Sequence, residues 1–195
     1  MTRSHAVRAW LIWTAGFLAF PIAGVAGTAA GGRVDSPLSA LIGGAVAGLV
    51  IGTAQVLLSG RRLSPYRWIP ATAIGMGIGL LLGAATVGYR TSLSSLAMMG
   101  AVTGLVLGIA QMAALPDGTR HRWAWAAALP ALWALGWTVT TFIGIDVEKQ
   151  HTIFGMSGAV TFTALSGLLL LTLVPTTAAG GSSRPAQRAT IATPA

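Results

Sequence analysis

Residues 44–55, GAVAGLVIGTAQ, return 56 positions later as GAVTGLVLGIAQ at 100–111, with nine of twelve positions identical. A third and more divergent copy, GAVTFTALSGLL, starts at Gly158, a further 58 residues on. Each copy lies inside an apolar run of the length that crosses a bilayer, about 20 residues. Such a chain reads as a repeated membrane unit rather than a soluble domain.

Six runs qualify as spans: 10–30, 38–58, 69–87, 96–115, 123–145 and 152–174, and none contains Asp, Glu, Lys, Arg or His. Only 8% of the 195 residues are charged and 54% are hydrophobic, against about 25% charged in soluble domains. The expected fold is therefore all-α and integral to the membrane. Six transmembrane helices form three repeated helical hairpins, at about 8–60, 66–115 and 121–175. The stretch 176–195, small, polar and rich in Pro and Gly, reads as a polar cytoplasmic tail that is flexible unless a partner orders it.

Lys and Arg set the expected orientation. Arg3, Arg8, Arg61, Arg62, Arg67, Arg120, Arg122, Arg184 and Arg188 fall on one side, and Arg33, Arg90 and Lys149 on the other. The richer side should be cytoplasmic, which places both termini inside, in a bacterial inner membrane. The net charge of +8 is explained by this topology rather than by nucleic acid. Trp10, Trp13, Trp68, Trp123 and Trp125 open spans at the inner face and read as interfacial anchors, with Arg67-Trp68 and Arg122-Trp123 as repeat equivalents. The first run exceeds the usual h-region of a signal peptide and reads as a span.

Glycine spacing suggests how the helices meet. Gly44, Gly48 and Gly52, Gly75, Gly79 and Gly83, and Gly100, Gly104 and Gly108 each recur every four residues, on one helix face. Such strips let backbones approach closely, the usual device of membrane helix association. Ala15, Ala19 and Ala23 form a shallower strip. At the 58-residue offset Gly104 becomes Phe162, Gly108 becomes Ser166 and Gln111 becomes Leu169. The third unit should therefore pack differently, with its last span facing lipid or a different neighbour.

Chemistry-bearing residues are few. Gln55 and Gln111 are the polar candidates, either as interhelical glue or as a gate or site for a neutral solute. Trp133 and Trp137, one turn apart and followed by Thr138, Thr140 and Thr141, either fill the core or line an aromatic pocket for a ring-shaped ligand or pigment. Pro21 and Pro130 are expected to kink their helices. Asp146, Glu148 and His151 could bind a metal but read as a solvated loop, and no metal site is assigned. Asp117, Arg120, His121 and Arg122 mark topology or an anionic lipid site. No span holds an ionisable group of the kind found in proton-coupled transporters and pumps. No phosphate-binding, zinc-protease, nucleophile-elbow or dinucleotide motif is present, so no catalytic residue and no cofactor are assigned. The absence of cysteine removes thiol chemistry.

The Gly-rich span ending in Ala-Gln (AQVLL at 54–58, AQMAA at 110–114), followed by a basic loop and a Trp-led span, resembles a group of uncharacterised bacterial multi-pass membrane proteins. In these, a GxxxGxxxGxxQ-type hairpin recurs two or three times. The resemblance covers about 41–170 and implies a fold style but no activity. This chain departs from the pattern by losing the glutamine of its third copy. A weaker resemblance, in the alanine strip at Ala15, Ala19 and Ala23, is to the substrate-binding components of energy-coupling-factor vitamin importers. The triplicated hairpin does not match those.

From these features the expected function is non-enzymatic. The chain would be an accessory or structural subunit of a larger membrane assembly, meeting partner subunits or its own copies through the glycine strips. The alternative is a passive channel or permease, or a substrate-binding transporter component, for a small neutral solute.

Overall fold

The computed structural model describes residues 3–144 and 153–174. The tail at 176–195 and the cluster Asp146, Glu148 and His151 lie outside them. The described residues are helical, without a strand. In chain order they form α1 (Arg3–Thr14), a 3-10 turn (Ala15–Leu18), α2 (Ala19–Gly31), α3 (Pro37–Leu58), α4 (Pro65–Thr86), α5 (Leu93–Ala114), α6 (Trp123–Phe142) and α7 (Met156–Leu173).

Local sequence sets the boundaries. Ser36 caps α3 in a reciprocal capping box with Ser39, with Pro37 in the first turn. Ser92 caps α5 by accepting from the Ser95 amide. Each arrangement satisfies amides that a helix start leaves open. Gly60, Gly88, Gly118 and Gly144 turn the chain after its helices at positive φ, where a side chain would be strained. Pro21 sits in the first turn of α2. It cannot donate to the carbonyl of Phe17, and the chain tightens there into the 3-10 turn. Pro130 lies within α6 and Pro70 within α4, each inside a continuous helix.

Five helical segments are long and apolar enough to cross a membrane: Arg3–Gly31, Pro37–Leu58, Pro65–Thr86, Leu93–Ala114 and Met156–Leu173. α6 is as long as a span and carries no charge. Its tryptophans, threonines and Pro130 lower its hydropathy below that of the other five.

The helices form a ring in sequence order: α2 lies against α3, α3 against α4, α4 against α5, α5 against α6 and α6 against α7. α7 then closes on α1 and the 3-10 turn. Aliphatic side chains project from the outside of every helix, among them Leu11, Ile22, Leu49, Ile78, Ile109 and Leu168. Aromatic, small and hydroxyl side chains fill the inside, including Trp68, Trp125, Trp133, Phe20, Phe162 and Thr72. Leu80, Leu107, Leu129 and Leu170 are buried among them, and an aliphatic outer surface suits lipid as the surrounding solvent.

The glycine strips face neighbouring helices of the same chain. A Cβ placed on Gly48 would lie 2.6 Å from the Thr72 carbonyl oxygen, and one on Gly44 would lie 2.7 Å from that of Met76, both on α4. On α4, Gly79 and Gly83 meet the Thr103 and Met99 carbonyls of α5. On α5, Gly104 meets Leu129 and Pro130 of α6, and Gly100 meets Trp133 and Trp137. On α7, Gly158 meets Gly136 of α6, and Gly167 meets the Trp13 ring of α1. The second helix of each hairpin therefore abuts the first helix of the next, and α1 supplies the neighbour of the last. α7 is not turned wholly to lipid: Phe162, Ser166 and Leu170 are buried. Its interface is nonetheless unlike the other two, because Phe162 and Ser166 occupy the places of glycines.

Candidate functional site

The most polar part of the interior is a hydrogen-bonded cluster around Gln55 and Gln111. Gln55 lies in the last turn of α3 and Gln111 in the last turn of α5, and both are buried. Trp68, near the start of α4, donates its indole N–H to Gln55 Oε1 at 2.8 Å. Trp125, near the start of α6, donates to Gln111 Oε1 at 3.0 Å. An indole can only donate, so each tryptophan fixes the orientation of its amide. The Gln111 amide nitrogen then points away from Trp125. It donates to Thr72 Oγ1 at 2.9 Å and to Gln55 Oε1 at 3.3 Å. Thr72 Oγ1 in turn donates a hydrogen bond to the Trp68 carbonyl at 2.8 Å.

Gln111, 1% exposed, thus uses both amide protons and its carbonyl oxygen inside the protein. The two indoles also touch edge to face, with ring centroids 5.8 Å apart. The cluster joins α3, α4, α5 and α6 and links the repeated glutamines to each other. The Gln111 amide is fully engaged and the Gln55 carbonyl oxygen accepts twice, which makes a structural lock. A solute entering between them would have to replace bonds that are already made.

The tryptophans therefore correct the reading as interfacial anchors. Trp68 and Trp125 are fully buried, Trp13 is buried, and Trp10 is half-buried, whereas Trp123 is 63% exposed. The structural counterpart of Trp68 is Trp125, not Trp123. The signal lies in the spacing from the glutamine: Trp68 follows Gln55 by 13 residues and Trp125 follows Gln111 by 14.

At the closing interface the same donor finds other acceptors. Trp13 donates to Ser166 Oγ at 3.2 Å and Trp10 to the Ala164 carbonyl at 2.8 Å. Thr163 Oγ1 donates to the Thr14 carbonyl at 3.1 Å. Ser166 stands at the Gly108 position of the repeat, so the third unit keeps an indole lock while Leu169 replaces the glutamine.

Trp133 and Trp137 meet the chain's own phenyl rings. Trp133 lies edge to face with Phe154 and Phe162, at 5.0 Å and 5.7 Å, and Trp137 with Phe154 at 5.8 Å. Phe20 of α2 stacks on Phe154 at 5.3 Å. Phe154 thus holds the space that a ring-shaped ligand would take beside the two indoles. Thr138, Thr140 and Thr141 donate back to carbonyls of α6 one turn earlier, and Thr140 Oγ1 also accepts from the Gly155 amide. Sequence reasoning missed the role of Phe154, which falls within the expected last span but sits in the loop before α7.

The α3–α4 and α5–α6 loops share one end of the bundle. Arg67 forms an ion pair with Asp117 at 3.1 Å and donates to the Ala113 carbonyl. Arg122 donates to the Leu115 carbonyl at 2.9 Å. Among the described residues no group of three or more His, Cys, Asp or Glu could hold a metal ion. Comparison with models of known families, with curated proteins and with solved structures finds no match to this chain.

Proposed function

We propose that the chain is a non-enzymatic, six-span protein of the bacterial inner membrane, with both termini cytoplasmic. It acts as an accessory or structural subunit of a larger membrane assembly. The observation that carries this reading is the closure of the interior by the chain's own groups. The Gln55 carbonyl oxygen and the whole Gln111 amide are engaged by Trp68, Trp125, Thr72 and each other, and the glycine strips are filled by neighbouring helices. A partner would therefore meet the aliphatic outer faces or the basic end, not the strips. α6 counts as the sixth span because it is uncharged, 20 residues long and packed between α5 and α7.

Gentle extraction from the native membrane, followed by measurement of mass and composition, tests the role. Further subunits in fixed stoichiometry are expected. A lone chain that passes small neutral solutes in proteoliposomes, with flux lost in Gln55 and Gln111 variants, would overturn it in favour of a permease. Orientation is open to single-cysteine labelling on a background that has no cysteine. Substituted Arg61 and Arg120 positions should label from the cytoplasm, and Arg33 and Arg90 positions from outside.

A further inference from the structure

The basic end carries a cavity of about 580 Å3 between the α3–α4 loop and the end of α5. Arg61, Arg62 and Arg67 line it beside Leu57, Leu63 and Pro116. The three cations have unequal company. Arg67 is engaged by Asp117, whose carboxylate is mostly in solvent, and by the Ala113 carbonyl. Arg62 is only half-exposed. Its Nε donates to the Ser59 carbonyl at 2.6 Å, and its Nη1 is buried without a hydrogen-bond partner. Burial lowers its pKa from the ordinary arginine value. Arg61 follows Gly60, and both adopt positive φ, +61° and +66°. This turn sets two guanidinium groups side by side in sequence at the rim of the cavity.

A half-buried guanidinium with an unused N–H is costly unless an anion meets it. The planar fork of arginine matches two oxygens of a phosphate better than it matches a single carbonyl. The rest of the wall is apolar, and Leu57 is 75% exposed on the outer face of α3, next to where lipid chains would run. The cavity thus offers two cations to an anionic head and an aliphatic flank to a tail.

We infer that this cavity binds the phosphate of an anionic phospholipid headgroup, with Arg62 and Arg61 as donors and an acyl chain lying along Leu57. The inference rests on the membrane reading of the chain and is independent of its role as a subunit.

The test uses the full chain in nanodiscs of phosphatidylcholine doped with phosphatidylglycerol, with retained lipids counted by native mass spectrometry. One phosphatidylglycerol per chain should be held in preference to phosphatidylcholine. Arg62→Gln with Arg61→Gln should weaken that retention by about tenfold or more, and Arg8→Gln should leave it unchanged. Arg61→Gln alone, at an exposed position, should weaken it without altering thermal melting, which separates binding from folding. Equal retention of the two lipids, or unchanged retention in the double variant, would overturn the inference. A second arm adds inorganic phosphate to lipid-free protein in neutral detergent. Stabilisation by phosphate without any preference for phosphatidylglycerol would assign the site to a soluble anion and overturn the lipid.

Discussion

The α5/α6 interface and the α7/α1 interface occupy equivalent places in the ring and are built from different materials. At α5/α6, Gly100, Gly104 and Gly108 bring two backbones together, and Gln111 receives the Trp125 indole. At α7/α1, Phe162 and Ser166 stand where two of those glycines would be. Phe162 fills volume in the aromatic core, and Ser166 receives the Trp13 indole. Common to both is one buried indole N–H that finds an acceptor, Trp125 in the first and Trp13 in the second. Close backbone approach is a property of the two faithful copies. The divergent copy achieves closure with side-chain volume, and its neighbour is the N-terminal segment, interrupted by a 3-10 turn, rather than a continuous first helix of a next unit.

This contrast can be broken at several points. The largest effect is expected for Gly104→Leu, which must push α6 away from Leu129 and Pro130 and should cost at least about 3 kcal/mol. Unfolding of the lone chain in mild detergent measures it. Gln111→Leu, which installs the residue that the third copy carries at Leu169, should come next. It leaves the Trp125 N–H without an acceptor and removes a donor from Thr72 and Gln55, for about 2–3 kcal/mol. Combining it with Trp125→Phe should cost less than the sum of the two single changes, since the orphaned donor is gone. Strict additivity would show that the amide and the indole do not interact.

Ser166→Ala sharpens the other side of the comparison. It removes a single acceptor at 3.2 Å and should cost about 1 kcal/mol. A cost equal to that of Gln111→Leu would mean that the two locks carry equal weight. The smallest effect belongs to Trp123→Ala, within about 0.5 kcal/mol, because its side chain projects outward. A large loss there, with none in Trp125→Ala, would reverse the pairing described above.

The helical, membrane-like fold was legible because charge exclusion and run length are local properties of the sequence. The glycine spacing pointed to close helix contact, but spacing alone does not say which helix fills the strip. The strips read as grooves for partners, whereas Thr72, Met76 and Leu129 of this chain occupy them. Gln55 and Gln111 were visible as polar candidates. Their partners were not, because aligning Arg67-Trp68 with Arg122-Trp123 placed the second tryptophan two residues from the one that bonds. An indole buried near a helix start looks the same in sequence as one lying in the headgroup zone. Only the donor's need for an acceptor, met by a glutamine 13 or 14 residues earlier, separates the two. Phe154 carried no distinguishing signal, since it read as one more apolar residue of the last span, whereas α7 starts only at Met156.

The central claim is that one chain closes its own ring, with α1 completing the interface of α7. Thr14 and Thr163 meet across that seam, and the chain has no other thiol to interfere. The most direct measurement is cross-linking of the Thr14→Cys, Thr163→Cys double variant in native membranes with a short bifunctional thiol reagent. The account predicts an intramolecular link and a monomer of altered mobility at all expression levels. Linked dimers without the intramolecular product would contradict it, because α7 would then be meeting the first helix of another copy.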